Sequence, residues 1–272
     1  MTGGSAPPVA VGAGVERKGD KMRLAMLSDI HGNSMALDAV LDDIRAQGGV
    51  DGYWILGDHV NQGYDPVGVM GRLGQLSKTR CVWGNTDRYV VKGGRRGPSI
   101  ERIEKDLSLL SALVSVEQGN GWTRGALSAT GWFEWLRDLP FVQRTVLPDG
   151  TRLLGVHASL VSDELGFVEN TTPEELRQRF PDCQADLVFA GHTHEEADLS
   201  CDGVRYLTLG GVANPLTGDR RANYAILQAD KSGYTVIRRR VDFDYDKLVE
   251  AIRATHHPSE QFLLKFYLDQ SG

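Results

Sequence analysis

What most constrains this chain is a recurring unit: a short apolar run, a polar turn carrying an Asp or His, then a segment of helical spacing. RLAMLS from Arg23 is followed by DIHGN, after which Leu37, Val40, Leu41 and Ile44 repeat at intervals of three and four. That pattern predicts a buried strand, a loop and a one-sided helix, with Asn33 or Ser34 as its cap. GYWIL then leads into GDHVNQGYDP and a weaker helix carrying Val67, Met70 and Leu73, and RCVW leads into GNTD. Strands alternating with helices imply βαβ units and a mostly parallel sheet.

The rhythm breaks between about 93 and 140. SIERIEKDLSLLSALVSV and SATGWFEWLRDLP read as helices and, with Trp122, Trp132 and Trp135, suggest a helical insert or cap whose tryptophans serve as core. Strands resume in TRLLGV before His157, in DLVFA before GHTH, and in VRYLTLGGVANP; ANYAILQA and YTVIRRRV around DKSG form an expected hairpin. Helical segments around 245–254 and 259–268 follow. Residues 1–20, rich in Gly, Pro and Ala and without periodicity, are expected to be a disordered leader, and 21–272 a single α/β domain. VAVGAGVERKG imitates a dinucleotide fingerprint, but Arg17 stands where its third glycine belongs.

Composition narrows the class. The 272 residues are 41% hydrophobic and 24% charged, which excludes a fibrous or largely disordered chain. Thirty basic against thirty-six acidic side chains give a net charge of -6, so neither a nucleic-acid coat nor a membrane-surface protein is implied. Cys81, Cys183 and Cys201 are odd in number and far apart, which argues against a disulfide framework or a zinc finger. With no spanning apolar run and no signal-like start, a soluble cytoplasmic protein is expected. Oligomeric state leaves no trace in the sequence.

Of seven histidines, His31, His59, His157, His192 and His194 each fall just past a predicted strand, as do Asp29, Asp58 and Asn85. In open α/β sheets the carboxyl ends of the strands form the ligand crevice, so these side chains can converge. Nitrogen and oxygen donors without thiolate suit Mn, Fe, Zn, Ni or Co better than calcium, and there are enough of them for two metals. His256 and His257 lie in a polar stretch and read as structural.

Asp29-Ile30-His31, Gly57-Asp58, Gly84-Asn85-Thr86-Asp87, His157 and Gly191-His192-Thr193-His194, in that order, resemble the motifs of the calcineurin-like metallophosphoesterases over about residues 22–215. DIHGN, GYDP, WLRDLP and the stretch from GHTH to GGVANP are similar to the small bacterial and archaeal phosphodiesterase branch. That branch includes enzymes acting on aryl phosphodiesters and diadenosine tetraphosphate, and its relatives include a retromer scaffold subunit. The resemblance implies an α/β sandwich of mixed sheets flanked by helices. It also implies two divalent transition metal ions, one held by Asp29, His31, Asp58 and His194, the other by Asp58, Asn85, His157 and His192, with Asp58 bridging. The implied function is hydrolysis of phosphodiesters or nucleotide phosphoanhydrides in a small phosphorylated substrate such as a nucleotide or dinucleotide; the alternatives are a phosphomonoesterase or a scaffold of the same fold.

Two metals roughly 3.5–4 Å apart on a shared carboxylate polarise a phosphoryl oxygen and lower the pKa of a bridging water, which supplies a hydroxide nucleophile. Only two carboxylates stand among the donors, so a loaded site is positive and attracts phosphate although the chain is acidic. Thr86 departs from the family pattern, which places a histidine there; a hydroxyl donates a hydrogen bond but cannot act as a cationic acid. His59, beside Asp58, is expected either to contact substrate or a ligand, or to face solvent. Asp87 is expected to fix the loop and Asn33 to cap. KGGRR and RRR read as solvated faces, with Arg95 and Arg96 able to meet a phosphate if the insert folds over the site.

Overall fold

The computed structural model describes residues 20–94, 98–213 and 218–268. The expected leader, apart from Asp20, lies outside the described residues, as do Arg95 and Arg96 and the end of GGVANP. In chain order β1 (Lys21–Leu27), α1 (Ser34–Ala46), β2 (Gly52–Leu56), α2 (Pro66–Gln75), β3 (Thr79–Val82) and α3 (Asn85–Lys92) realise the recurring unit. Asn33 caps α1, its side chain accepting from the Ala36 N–H. A helical stretch follows, made of α4 (Ile100–Lys105), α5 (Leu110–Thr130) and α6 (Phe133–Arg137). The second half contains β4 (Val142–Val146), β5 (Arg152–Val156), α7 (Pro173–Arg179), β6 (Leu187–Ala190), β7 (Glu196–Cys201) and β8 (Val204–Leu209). It ends with β9 (Ala222–Asp230), β10 (Gly233–Val241), α8 (Tyr245–Ala254) and α9 (Glu260–Leu268).

A mostly parallel sheet is not what forms. The strands build two five-stranded mixed sheets, ordered β10-β9-β1-β2-β3 and β4-β5-β6-β8-β7. β1, β2 and β3 are parallel, as are β5, β6 and β8, whereas β9, β10, β4 and β7 pair antiparallel. Three of the antiparallel pairs follow short returns: a hairpin joins β9 to β10, only Asp202 and Gly203 separate β7 from β8, and a short turn joins β4 to β5; β9 comes back from far along the chain to pair antiparallel with β1.

The sheets pack face to face. Leu24 and Met26 of β1, Trp54 and Leu56 of β2, Leu153 of β5, Leu187 and Phe189 of β6 and Leu207 of β8 share one buried cluster between them. The alternate residues serve outer layers: Ala25, Leu27 and Ile55 pack with α1 and α2, while Leu154, Val188 and Ala190 pack with Leu176 of α7. Burial on both faces explains why these strands read as continuous apolar runs instead of alternating ones. Gly155 sits where a Cβ would lie 2.7 Å from Cε3 of Trp54, so glycine lets the indole cross between the sheets.

Candidate metal centre

Five strand ends meet at one rim. β1 leads to Asp29 and His31, β2 to Asp58, β3 through Gly84 to Asn85 on α3, β5 to His157, and β6 to His192 and His194. The loops are laced together by their backbones: Asp29 donates to the Gly57 carbonyl at 3.1 Å, His31 to Asp58 at 2.9 Å and Gly191 to His157 at 2.8 Å. Asp29, His31, Asp58, His192 and His194 all have φ between 47° and 70°. Left-handed backbone at a non-glycine residue costs about 1–3 kcal/mol and collects at functional sites. The motif glycines give way for close approach: a Cβ on Gly84 would lie 2.1 Å from Oδ1 of Asp58, and one on Gly191 would lie 2.5 Å from Oδ2 of Asp29.

All seven expected donors join in one run of contacts. Nε2 of His194 lies 3.1 Å from Nε2 of His31 and 3.4 Å from Oδ1 of Asp29. Oδ2 of Asp58 lies between Nε2 of His31, at 3.6 Å, and Nε2 of His157, at 3.5 Å. Oδ1 of Asn85 then faces Nε2 of His157 and Nδ1 of His192, each at 3.0 Å. Among the described residues Asp29, His31 and His194 form one compact group and Asp29, Asp58 and His157 another, the ligating atoms of each within 4.8 Å of one another. Asp29 therefore also reaches between the groups, a sharing that the sequence reading gave to Asp58 alone.

Protons are placed by backbone carbonyls, which only accept. Nδ1 of His31 donates to Asn61 at 2.9 Å, Nδ1 of His157 to Leu56 at 2.8 Å, and Nε2 of His192 to Glu164 at 2.9 Å. Each ring thus turns its unprotonated nitrogen toward the other donors, the arrangement by which outer hydrogen bonds orient metal-binding histidines. The Asn85 oxygen then faces two imidazole lone pairs, and three converging acceptors are what a cation satisfies. Four imidazoles, two carboxylates and one amide oxygen fit divalent transition metals. The three carbonyls are partners that sequence reasoning missed, because a backbone acceptor has no signature in side-chain identity.

Electrostatics separate the two carboxylates. Burial lifts Asp29 to about 6, against the pull of His157. Asp58 is also buried, but His157, His31 and the Thr86 N–H donating to Oδ1 at 2.9 Å outweigh burial and hold it well below the usual carboxylate range. Burial drives His31 below its ordinary value, while the nearby carboxylates of Asp58 and Asp29 overcome burial at His157 and raise it.

Two expectations change. His59 faces neither solvent nor substrate: it is 0% exposed, its Nδ1 donates to Oδ2 of Asp87 at 2.7 Å, and its ring stands edge-on to Trp135. A ring sealed in this way cannot touch a bound phosphate. Burial opposes its charge, but the Asp87 carboxylate prevails and pushes its pKa up to about 10. Asp87 also accepts from the backbone N–H groups of His59 and Gly84, which ties the β2 and β3 loops together. The Thr86 hydroxyl is buried without a hydrogen-bond partner among the described residues, so its N–H is the group that engages the site. His256 is exposed and His257 packs on Trp122, both apart from the cluster.

Residues 22–232 match the family model described as the calcineurin-like phosphoesterase superfamily domain. An uncharacterized protein of Methanocaldococcus jannaschii is 28% identical over 247 residues, which span 85% of this chain and 92% of that protein. A metallophosphoesterase from Sphaerobacter thermophilus superposes with a TM-score of 0.69 at 25% identity, covering 90% of this chain and 98% of that one. A hypothetical protein from Pyrococcus horikoshii shares the fold, with a TM-score of 0.73 at 19% identity over 90% of this chain and 97% of that one.

Proposed function

The chain belongs to the calcineurin-like phosphoesterase superfamily, and on that premise we propose that it is a two-metal phosphoesterase cleaving phosphodiesters or nucleotide phosphoanhydrides. The observation that carries this reading is Asp58: one oxygen is held by the Thr86 N–H while the other stands between His31 and His157, an imidazole from each half of the fold. In the proposal Asp29, His31, Asp58 and His194 hold one metal and Asp58, Asn85, His157 and His192 the other, with Mn, Fe, Zn, Ni and Co as candidates. Such a pair supplies Lewis acidity toward a phosphoryl oxygen and a water activated near neutral pH.

The protein's own residues prepare the site. Asp58 is kept ionised by its neighbours, so it is ready to bind cations without first losing a proton. Asn61, Leu56 and Glu164 fix the tautomers of His31, His157 and His192, so these three rings need not rotate on loading. No imidazole stands at position 86, so this position offers no cationic acid to a poor leaving group. That favours diesters and anhydrides with stable leaving groups over alkyl monoesters.

The test is a substrate panel of aryl diester, dinucleoside polyphosphate and aryl monoester, run on chelated protein reconstituted with each metal in turn. Turnover should vanish on chelation, return with metal, and be fastest on the diester or the anhydride. Turnover indifferent to chelator, or none on any substrate at full metal loading, would contradict the proposal.

A further inference from the structure

One group of charged and polar residues outside the seven donors bears on two of them. Arg88 and Tyr89 follow Asn85 by three and four residues on α3, which makes them its neighbours along the helix surface. Both reach across to the loop that follows His157. Arg88 donates through Nε and Nη2 to the two oxygens of Asp163 at 2.6 and 3.0 Å, and through Nη2 to Oε1 of Glu164 at 2.5 Å. Tyr89 donates its hydroxyl to the same Glu164 oxygen at 2.8 Å. The Glu164 carbonyl accepts the Nε2–H of His192 at 2.9 Å. A Cβ on Gly166 would meet Cδ2 of His192 at 3.1 Å, so this loop lies directly against the GHTH turn.

We propose that Arg88 and Tyr89 form a clamp that sets the orientation of Asn85 and His192, and thereby controls metal affinity at the Asp58, Asn85, His157 and His192 group alone. The proposal rests on the two-metal reading above. An asparagine amide presents either oxygen or NH2, and an imidazole either of two nitrogens; only one choice of each makes a ligand. Tyr89 stands one turn along α3 from Asn85, whose oxygen faces His157 and His192, and it ties that stretch of helix to the Glu164 side chain. Arg88 acts at one remove, because the carbonyl that selects the His192 tautomer belongs to a loop without regular structure, and the bidentate pair with Asp163 holds that loop against α3. The pair is mostly shielded, with side-chain exposures of 25% and 10%. His31 and His194 are held by other contacts and lie outside the clamp's reach. Both clamp residues are positioning residues.

The test titrates Mn2+ into chelated wild-type protein and into Arg88→Ala, Arg88→Lys and Tyr89→Phe by calorimetry, with circular dichroism to establish folding. Wild type should bind two ions. Arg88→Ala and Tyr89→Phe should keep one at wild-type affinity and lose about 10–100-fold at the other, the usual cost of an outer-shell partner, with Arg88→Lys in between. A nitrogen-15 imidazole spectrum of the metal-free protein gives a readout independent of loading: His192 should be the Nε2–H tautomer in wild type and a mixture in Arg88→Ala. Arg177→Ala, which removes an exposed pair with Asp202, should leave both affinities unchanged. If Arg88→Ala does not fold, Tyr89→Phe, which deletes one hydroxyl, carries the test. Two wild-type affinities in the folded variants, or an equal fall in both, would overturn the clamp while leaving the two-metal reading intact. A wild-type stoichiometry of one or none would overturn both.

Discussion

At the scale of single residues, the proposed two-metal site turns on Asp58. Asp58→Asn removes a charge that faces two imidazoles from separate halves of the fold, so both metals should weaken. Turnover should fall by more than about 10²-fold, beyond the range for outer-shell partners, while His256→Ala, at an exposed position, leaves it unchanged. Similar small losses in the two variants, measured by steady-state kinetics, would refute a shared role for Asp58. Thr86 makes a second residue-level case. Thr86→His should help most where the leaving group is poorest, by up to roughly 10²–10⁴-fold, because general acid catalysis acts only where a proton is needed. Rates across a series of aryl and alkyl leaving groups give the slope; an unchanged slope with intact metal content would show that the new ring does not serve the reaction.

At the scale of elements, packing sets the consequences. Gly155→Ala on β5 would push a methyl into Trp54 and Leu56, and overpacking of this kind costs typically about 1–3 kcal/mol, readable as a lower denaturant midpoint. An unchanged midpoint would mean that the sheets separate more easily than this contact implies. In the turn between α8 and α9, burial against Trp122 pushes His257 down to about 4 from its ordinary 6.5. Because the folded value is the lower one, the stability held by neutral His257 is present above pH 6.5 and lost as pH falls toward 4. The drop in midpoint between pH 7.5 and 4.5 should shrink in His257→Phe; an equal drop would remove His257 from acid unfolding. Elements with a strong signal were legible in the sequence: α1 by its apolar period of three and four, and β1, β2 and β6 as apolar runs, because both their faces are buried. β4 and β7 were not legible, since edge strands such as VQRTV are half exposed and carry too few apolar residues to stand out. The Thr172 and Glu175 capping box and Pro173 mark the start of α7, a helix too short to show a period of its own. α5 runs as one helix through Gly119, Gly121 and Gly125, where tertiary packing overrides a poor helical composition. The convergence of the seven donors was legible as an order of motifs, whereas their left-handed backbone, the sealed His59 and the Glu164 carbonyl depend on tertiary contacts that no local pattern encodes.

At the scale of the molecule, the candidate centre straddles the sandwich: one sheet supplies Asp29, His31, Asp58 and Asn85, the other His157, His192 and His194. Metal binding should therefore stabilise the whole fold, because ions that bind only the native state add RT ln(1 + [L]/Kd), about 2.7 kcal/mol per site at a hundredfold excess over Kd. Chelation should lower Tm by about 5–10 °C per site for a chain of this size, and a melting curve unmoved by chelator would separate the donors from the fold's stability. The central claim, two metals sharing Asp58, is tested most directly by the anomalous difference map of a crystal grown with Mn2+. The expected result is two peaks roughly 3.5–4 Å apart, one against Asp29, His31 and His194, the other against Asn85, His157 and His192, with Asp58 touching both. A single peak, or two that do not share Asp58, would contradict it.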